Sequence, residues 1–133
     1  MSAVLQSINY AEKSVSAGFT EATNKSSHEQ VSLDSYLLAN PASTVLFRAR
    51  GSSMTGAGIY DGDLLVVVCS IKPVHGQVVI AAINDDLTVK RFYQHSGELK
   101  FQAANPEFHD ITFVQSDEIS VWGVVTFSLR RLS

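Results

Sequence analysis

The stretch Gln77-Val-Val-Ile-Ala-Ala-Ile83-Asn-Asp-Asp86-Leu87-Thr-Val-Lys-Arg-Phe-Tyr93 decides the fold class. Two runs rich in β-branched and aromatic residues flank Asn84-Asp85-Asp86, a polar triplet suited to a tight reversal. The pair reads as a β-hairpin. Working outward, Asp63-Leu-Leu-Val-Val-Val68 is apolar without alternation, the pattern of a strand buried on both faces. Thr44 to Arg50, Leu99 to Ala103 and Ile119 to Leu129 read as further strands. Many short strands separated by Gly and Asp turns predict a mainly β fold with a curled antiparallel sheet.

Ahead of the strands, Ser32-Leu-Asp-Ser-Tyr-Leu-Leu-Ala39 reads as a short capped helix, stopped by Asn40-Pro41. Met1 to about Gln30 is rich in Ser, Thr, Asn, Lys and Glu and holds few apolar anchors. Such a segment cannot bury enough surface to offset its ordering entropy, so it reads as a mobile arm. The expected organisation is therefore an arm over residues 1–31 and a folded domain over 32–133.

Composition narrows the function. The 133 residues are 45% hydrophobic and 17% charged with a net charge of −3, which suits a globular core and supplies no cationic footprint for nucleic acid. Direct specific DNA binding is not expected. Cys69 stands alone, so no intrachain disulfide can form and a reducing cytoplasm is the expected setting. Met1 to Tyr10 has neither the basic start nor the apolar run of a signal peptide. The longest apolar run, Leu64 to Cys69, is far below the roughly 20 residues that a membrane helix needs.

Two features carry chemistry. Gly51-Ser-Ser-Met-Thr-Gly-Ala-Gly58 follows a strand, and its small residues allow a tight turn that presents a serine hydroxyl. By itself a Gly/Ser loop is more often only a loop. Lys90 interrupts the apolar strand Leu87-Thr-Val-Lys-Arg-Phe92. Facing outward it is an ordinary solvated lysine; facing a cleft, burial would favour the neutral amine. A lysine with pKa near 10.4 is neutral in only about 1 molecule in 2,500 at pH 7, and bringing it to 7 takes roughly 4.6 kcal/mol.

Taken together, Gly51-Ser-Ser-Met54, Ile59-Tyr-Asp-Gly-Asp-Leu-Leu-Val-Val67, His75-Gly76, Thr88-Val-Lys-Arg91 and Val121-Trp-Gly-Val-Val125 resemble UmuD/MucA-like proteins of the LexA-type self-cleaving Ser–Lys peptidase family. The likeness runs in order from about Gly18 to Leu129. It implies the curled β-sheet peptidase domain of that family. It implies that Ser53, directly before Met54, is the nucleophile and that Lys90 is its general base. It also implies self-cleavage at Ala17-Gly18 in the arm. The partners implied are a second copy in a homodimer, a RecA–single-stranded DNA filament as coprotease, and a UmuC-type translesion polymerase in the SOS response to DNA damage. No cofactor and no metal are implied.

The sequence departs from its relatives in two places. Cys69 stands where an acidic residue is common and is expected to be a small buried hydrophobe, and Thr20-Glu-Ala lacks a proline often seen after the junction. His28, His75, His95 and His109 have no metal-ligand spacing; His75-Gly76 reads as a turn. Asp61-Gly62-Asp63 reads as a turn into a strand, and Trp122 as packed in a core or an interface. The competing reading is a non-catalytic dimeric binding module with a dormant site. A LexA-type repressor would need a helix-turn-helix, and type I signal peptidases act at membranes; neither need is met by these residues.

Overall fold

A computed structural model describes residues 7–11, 28–110 and 118–133. The chain divides into two compact units, residues 1–39 and 40–133. In the first, strands β1 (Ser7–Ala11) and β2 (His28–Ser32) pair antiparallel, with Ile8 opposite Val31 and Tyr10 opposite Glu29. The sequence reading assigned no strand before Ser32, because so few apolar residues recur there. Helix α1 (Leu33–Leu37) follows, capped by Ser32, whose hydroxyl accepts the Ser35 N–H at 3.4 Å.

Among the described residues, the second unit holds one six-stranded sheet built from β3 (Thr44–Arg48), β4 (Leu64–Val68), β5 (Val78–Ile83), β6 (Asp86–His95), β7 (Glu98–Gln102) and β8 (Ile119–Leu129). All neighbours are antiparallel, in the order β3-β4-β8-β5-β6-β7. The mainly β architecture expected from the sequence is the one observed. Between β5 and β6 the reversal is made by Asn84 and Asp85 alone, with φ of 50° and 70°, and Asp86 already pairs with Ile83. Positive φ at both turn residues is the geometry whose twist matches the flanking strands. Ser96-Gly97 closes the β6–β7 hairpin in the same way, with φ of 52° and 76°.

Alternation along β5 sorts the core into two parts. Ile80 joins Ala49, Met54, Ile59, Leu65 and Val67 on one side. Val79 and Ala81 join Phe92, Phe101 and Val124 on the other. Burial on both faces explains the unbroken run Leu65-Val66-Val67, each no more than 1% exposed. Strand β8 lies between β4 and β5 and carries two irregularities. The β5 pairing skips Trp122 and the β4 pairing skips Thr126, and such bulges sharpen the twist of a sheet. Skipped by the ladder, Trp122 turns out of the core; it is 46% exposed and meets Phe47 edge to face at 5.8 Å.

Next to that bulge, a Cβ on Gly123 would stand 2.7 Å from Val67 Cγ1 and 2.9 Å from the Val68 carbonyl. The close approach of β8 to the end of β4 therefore requires a residue with no side chain. Gly123→Ala is expected to cost about 1–3 kcal/mol, as overpacked cores do, read as a lower denaturant midpoint. An unchanged midpoint would mean that β8 does not approach β4 so closely.

Candidate active site

Strand β3 ends at Arg48, and the chain must turn through Gly51–Gly58 before it can re-enter the sheet as β4. The turn that precedes β4 anchors the start of this loop. Ala49 N–H donates to Asp63 O and Gly62 N–H to Ala49 O, each at 2.8 Å, while Arg48 Nη1 donates to Gly62 O at 2.9 Å. Asp61 adds a side-chain contact, its Oδ1 accepting the Gly51 N–H at 2.8 Å. Within the loop, Met54 and Ile59 are the apolar anchors, 3% and 6% exposed, and Ile59 N–H donates back to Met54 O. Burying two such side chains contributes about 1.5–3 kcal/mol each, enough to hold a loop that has little regular structure.

The segment after β7 grips the loop from the opposite side. Ala104 N–H donates to Ser53 O at 2.8 Å, and Gly56 N–H donates to Ala104 O at 2.6 Å. A Cβ on Gly56 would lie 2.4 Å from that carbonyl, so only glycine permits the contact. Asn105 reaches further in, its Nδ2 donating to Ser52 O at 2.8 Å and to Thr55 Oγ1 at 3.4 Å.

Strand β6 brings Lys90 to this loop. Its Nζ stands 3.1 Å from Ser53 Oγ and 3.1 Å from Val89 O. Lys90 is 8% exposed, and among the described residues no carboxylate forms an ion pair with it. Burial without a counter-charge lowers its pKa, because desolvation penalises only the ammonium form. The lysine is therefore not a solvated strand residue. Its neighbour Arg91 is less buried and donates from Nη1 to Gly76 O at 2.8 Å, bracing the turn before β5. Ser53 opens onto a cleft of about 240 Å³, lined by Phe47, Arg50, Met54, Ile59, Thr88 and Val89 among others. A hydroxyl beside a poised amine, at the edge of a cleft lined by both polar and apolar side chains, can attack a carbonyl carbon held there.

The remaining expectations fall out unevenly. Ala17 and Gly18 lie outside the described residues. Cys69 is not the buried hydrophobe expected: it is an exposed free thiol, because β4 ends at Val68 and the chain turns outward. His75 sits in the turn before β5, with Nδ1 accepting the Gln94 N–H at 3.1 Å. Among the described residues no group of three or more His, Cys, Asp or Glu could hold a metal ion. None of their helices is long and apolar enough to cross a membrane.

Asp63 holds a role that the sequence did not reveal. It is 1% exposed, and Oδ2 accepts from Tyr60 N–H at 2.9 Å and Ser128 Oγ at 3.0 Å. The Tyr60 N–H holds this carboxyl below the usual range against the opposing effect of burial, helped by Ser128 and by Arg130 at 3.9 Å. A turn reading of Asp-Gly-Asp could not separate Asp61, which grips the serine loop, from Asp63, which ties the turn to β8.

Comparison with known proteins agrees with this architecture. A family model described as Peptidase S24-like matches residues 8–126. Protein ImpA of Salmonella typhimurium is 38% identical over 116 residues, 86% of this chain and 78% of that protein. Protein MucA of Escherichia coli is 33% identical over 127 residues, 94% of this chain and 86% of that protein. A LexA repressor of Bordetella avium is 35% identical over 116 residues, 87% of this chain and 54% of that protein.

The buried lysine has a thermodynamic signature. The unfolded chain keeps the Lys90 proton up to about pH 10.5, while the folded chain releases it at lower pH. Between these points the folded state binds fewer protons, so stability rises with pH, and the full cost of burial is felt below the folded pKa. Lys90→Met is thus expected to be more stable than the parent near neutral pH, with the gap closing towards pH 10.5. Denaturation at several pH values measures it, and a gap that ignores pH would contradict the burial argument.

Proposed function

The chain belongs to the Peptidase S24-like family, in the company of ImpA, MucA and the LexA repressors, and from that premise we propose that it is a self-cleaving serine peptidase working through Ser53 and Lys90. The observation that carries this reading is the 3.1 Å contact between Lys90 Nζ and Ser53 Oγ, made by a lysine whose charged form is disfavoured by burial. A neutral amine at that distance can take the hydroxyl proton.

In the proposed reaction the arm lies extended in the cleft with the Ala17 carbonyl beside Ser53. Lys90 removes the Ser53 proton as Oγ bonds to the carbonyl carbon, and the resulting oxyanion is held by backbone N–H groups that include that of Ser53. Collapse breaks the bond to the Gly18 nitrogen, which leaves with the proton from Lys90. Water then attacks the acyl-serine, Lys90 accepting its proton and returning one to Oγ. The products are the segment ending at Ala17 and a trimmed chain that begins at Gly18. The small side chain of Ala17 and the absent one of Gly18 suit a narrow cleft.

The wider setting is carried over from the family resemblance. The chain works in the cytoplasm as a homodimer, a RecA–single-stranded DNA filament stimulates cleavage, and the trimmed dimer joins a UmuC-type translesion polymerase during SOS mutagenesis. A net charge of −3 agrees with access to DNA through partners rather than by direct contact.

Intact mass spectrometry after incubation at alkaline pH tests the reaction. Wild type is expected to lose Met1 to Ala17, with a rate that climbs from pH 7 towards 10, and Ser53→Ala is expected to stay whole. Removing the base in Lys90→Ala should slow cleavage by about 10²–10⁴-fold. Lys90→Arg should be as inert, since a guanidinium does not give up its proton. A wild-type chain that stays intact even with a RecA–single-stranded DNA filament would turn the reading to a non-catalytic dimeric binding module.

A further inference from the structure

The Ser53 N–H belongs to the same peptide unit as the Ser52 carbonyl, and that carbonyl does not hang free. It accepts the Asn105 Nδ2 at 2.8 Å and, more weakly, the Thr55 N–H at 3.4 Å. A trans peptide is planar, with its C=O and N–H pointing in opposite directions. Pinning Ser52 O therefore fixes the direction in which the Ser53 N–H points. Among the described residues that N–H makes no hydrogen bond. The far side of the same residue is pinned as well, since Ser53 O accepts the Ala104 N–H at 2.8 Å.

The orientation of the Asn105 amide is determined by its partners. Nδ2 faces the Ser52 carbonyl, while Oδ1 accepts the Glu107 N–H at 3.0 Å. The flipped amide would set oxygen against oxygen and N–H against N–H. One side chain thus does two separable things: its oxygen braces the turn over Asn105–Phe108, and its nitrogen reaches the residue next to the nucleophile. A hydrogen bond accepted at a peptide carbonyl also polarises that peptide and strengthens its N–H as a donor.

We propose that Asn105 is a positioning residue for the peptidase reaction, which holds the Ser52–Ser53 peptide so that the Ser53 N–H is aimed at the developing oxyanion. It touches neither the substrate nor the Lys90 amine; it acts through Ser52. The inference rests on the Ser53–Lys90 reading, and it separates the accuracy of the oxyanion donor from the strength of the base. Loss of a whole oxyanion donor costs about 10²–10³ in rate, and misaiming one should cost roughly 10- to 100-fold.

The test is self-cleavage of the full chain at alkaline pH, followed by intact mass, for wild type, Ser53→Ala, Asn105→Ala and Asn105→Asp. Asn105→Asp keeps an oxygen for the Glu107 N–H, loses the donor to Ser52 and adds a negative charge, whereas Asn105→Ala loses both contacts without adding one. A residue that merely braced the turn would be rescued by this change; a positioning residue would not. The expected result is cleavage slowed roughly 10- to 100-fold in both variants, with the pH of half-maximal rate unmoved in Asn105→Ala, which adds no charge near Lys90. The Ser53 amide resonance should also shift in Asn105→Asp. If that variant does not fold, Asn105→Ser, too short to reach Ser52 O, takes its place. Cleavage of Asn105→Asp at the wild-type rate overturns the inference and leaves the dyad standing. Silence of the wild type even with a RecA–single-stranded DNA filament overturns the peptidase reading, and this inference falls with it.

Discussion

The insertion of β8 between β4 and β5 is the constraint on which the rest of the second unit depends. The serine loop hangs between β3 and β4, and the lysine sits in the β5–β6 hairpin. These two pieces have no direct strand pairing with each other; the last strand joins them. The 3.1 Å contact between Ser53 and Lys90, 37 residues apart, is thus made possible by a pairing that forms only when the chain's end has returned. Gly123 lets β8 close against β4, and the skipped residues Trp122 and Thr126 let it follow the curl of the sheet.

Among the described residues, the second unit buries two ionisable side chains, Asp63 and Lys90, and treats them in opposite ways. Asp63 receives hydrogen bonds from Tyr60 and Ser128 and an ion pair with Arg130, so it stays a carboxylate despite being 1% exposed. Lys90 receives no opposite charge among the described residues, and desolvation alone decides its titration. A buried charge without a partner is costly, and a group that can shed a proton relieves the cost by becoming neutral. The first arrangement ties the turn before β4 to the end of β8. The second makes an amine available beside a hydroxyl. Both lie within reach of one loop, whose rigidity comes from Asp61 on one side and from Ala104 and Asn105 on the other.

Much of this was legible in the sequence. The unbroken apolar run of β4, the hairpin across Asn84-Asp85 and the strand character of β3, β6, β7 and β8 are local properties, and they appear where the residues indicated. Ser53 and Lys90 stood out through motifs whose order matched a family. Less was legible where a residue's environment comes from distant chain. Cys69 resembles a core residue by type, yet it stands one position beyond the end of β4. Trp122 is aromatic and sits in an apolar strand, but a skipped pairing turns it to the surface. The β1–β2 ladder gave no periodic apolar signal, since its pairing relies on backbone groups that every residue carries.

Asn105 marks the boundary most sharply. Asn-Pro announces a turn, and nothing local to Ala104-Asn105-Pro106 hints that its amide reaches Ser52, 53 residues earlier. By itself the sequence determined the β architecture, the tight turns and the two residue types needed for the chemistry, because propensity and alternation act over a few residues. The tertiary structure alone decided that Lys90 is buried without a counter-charge, that its nitrogen meets Ser53, and that the serine loop is gripped from both sides. Those are distances and desolvation, and they exist only once β8 has brought together segments remote in the chain.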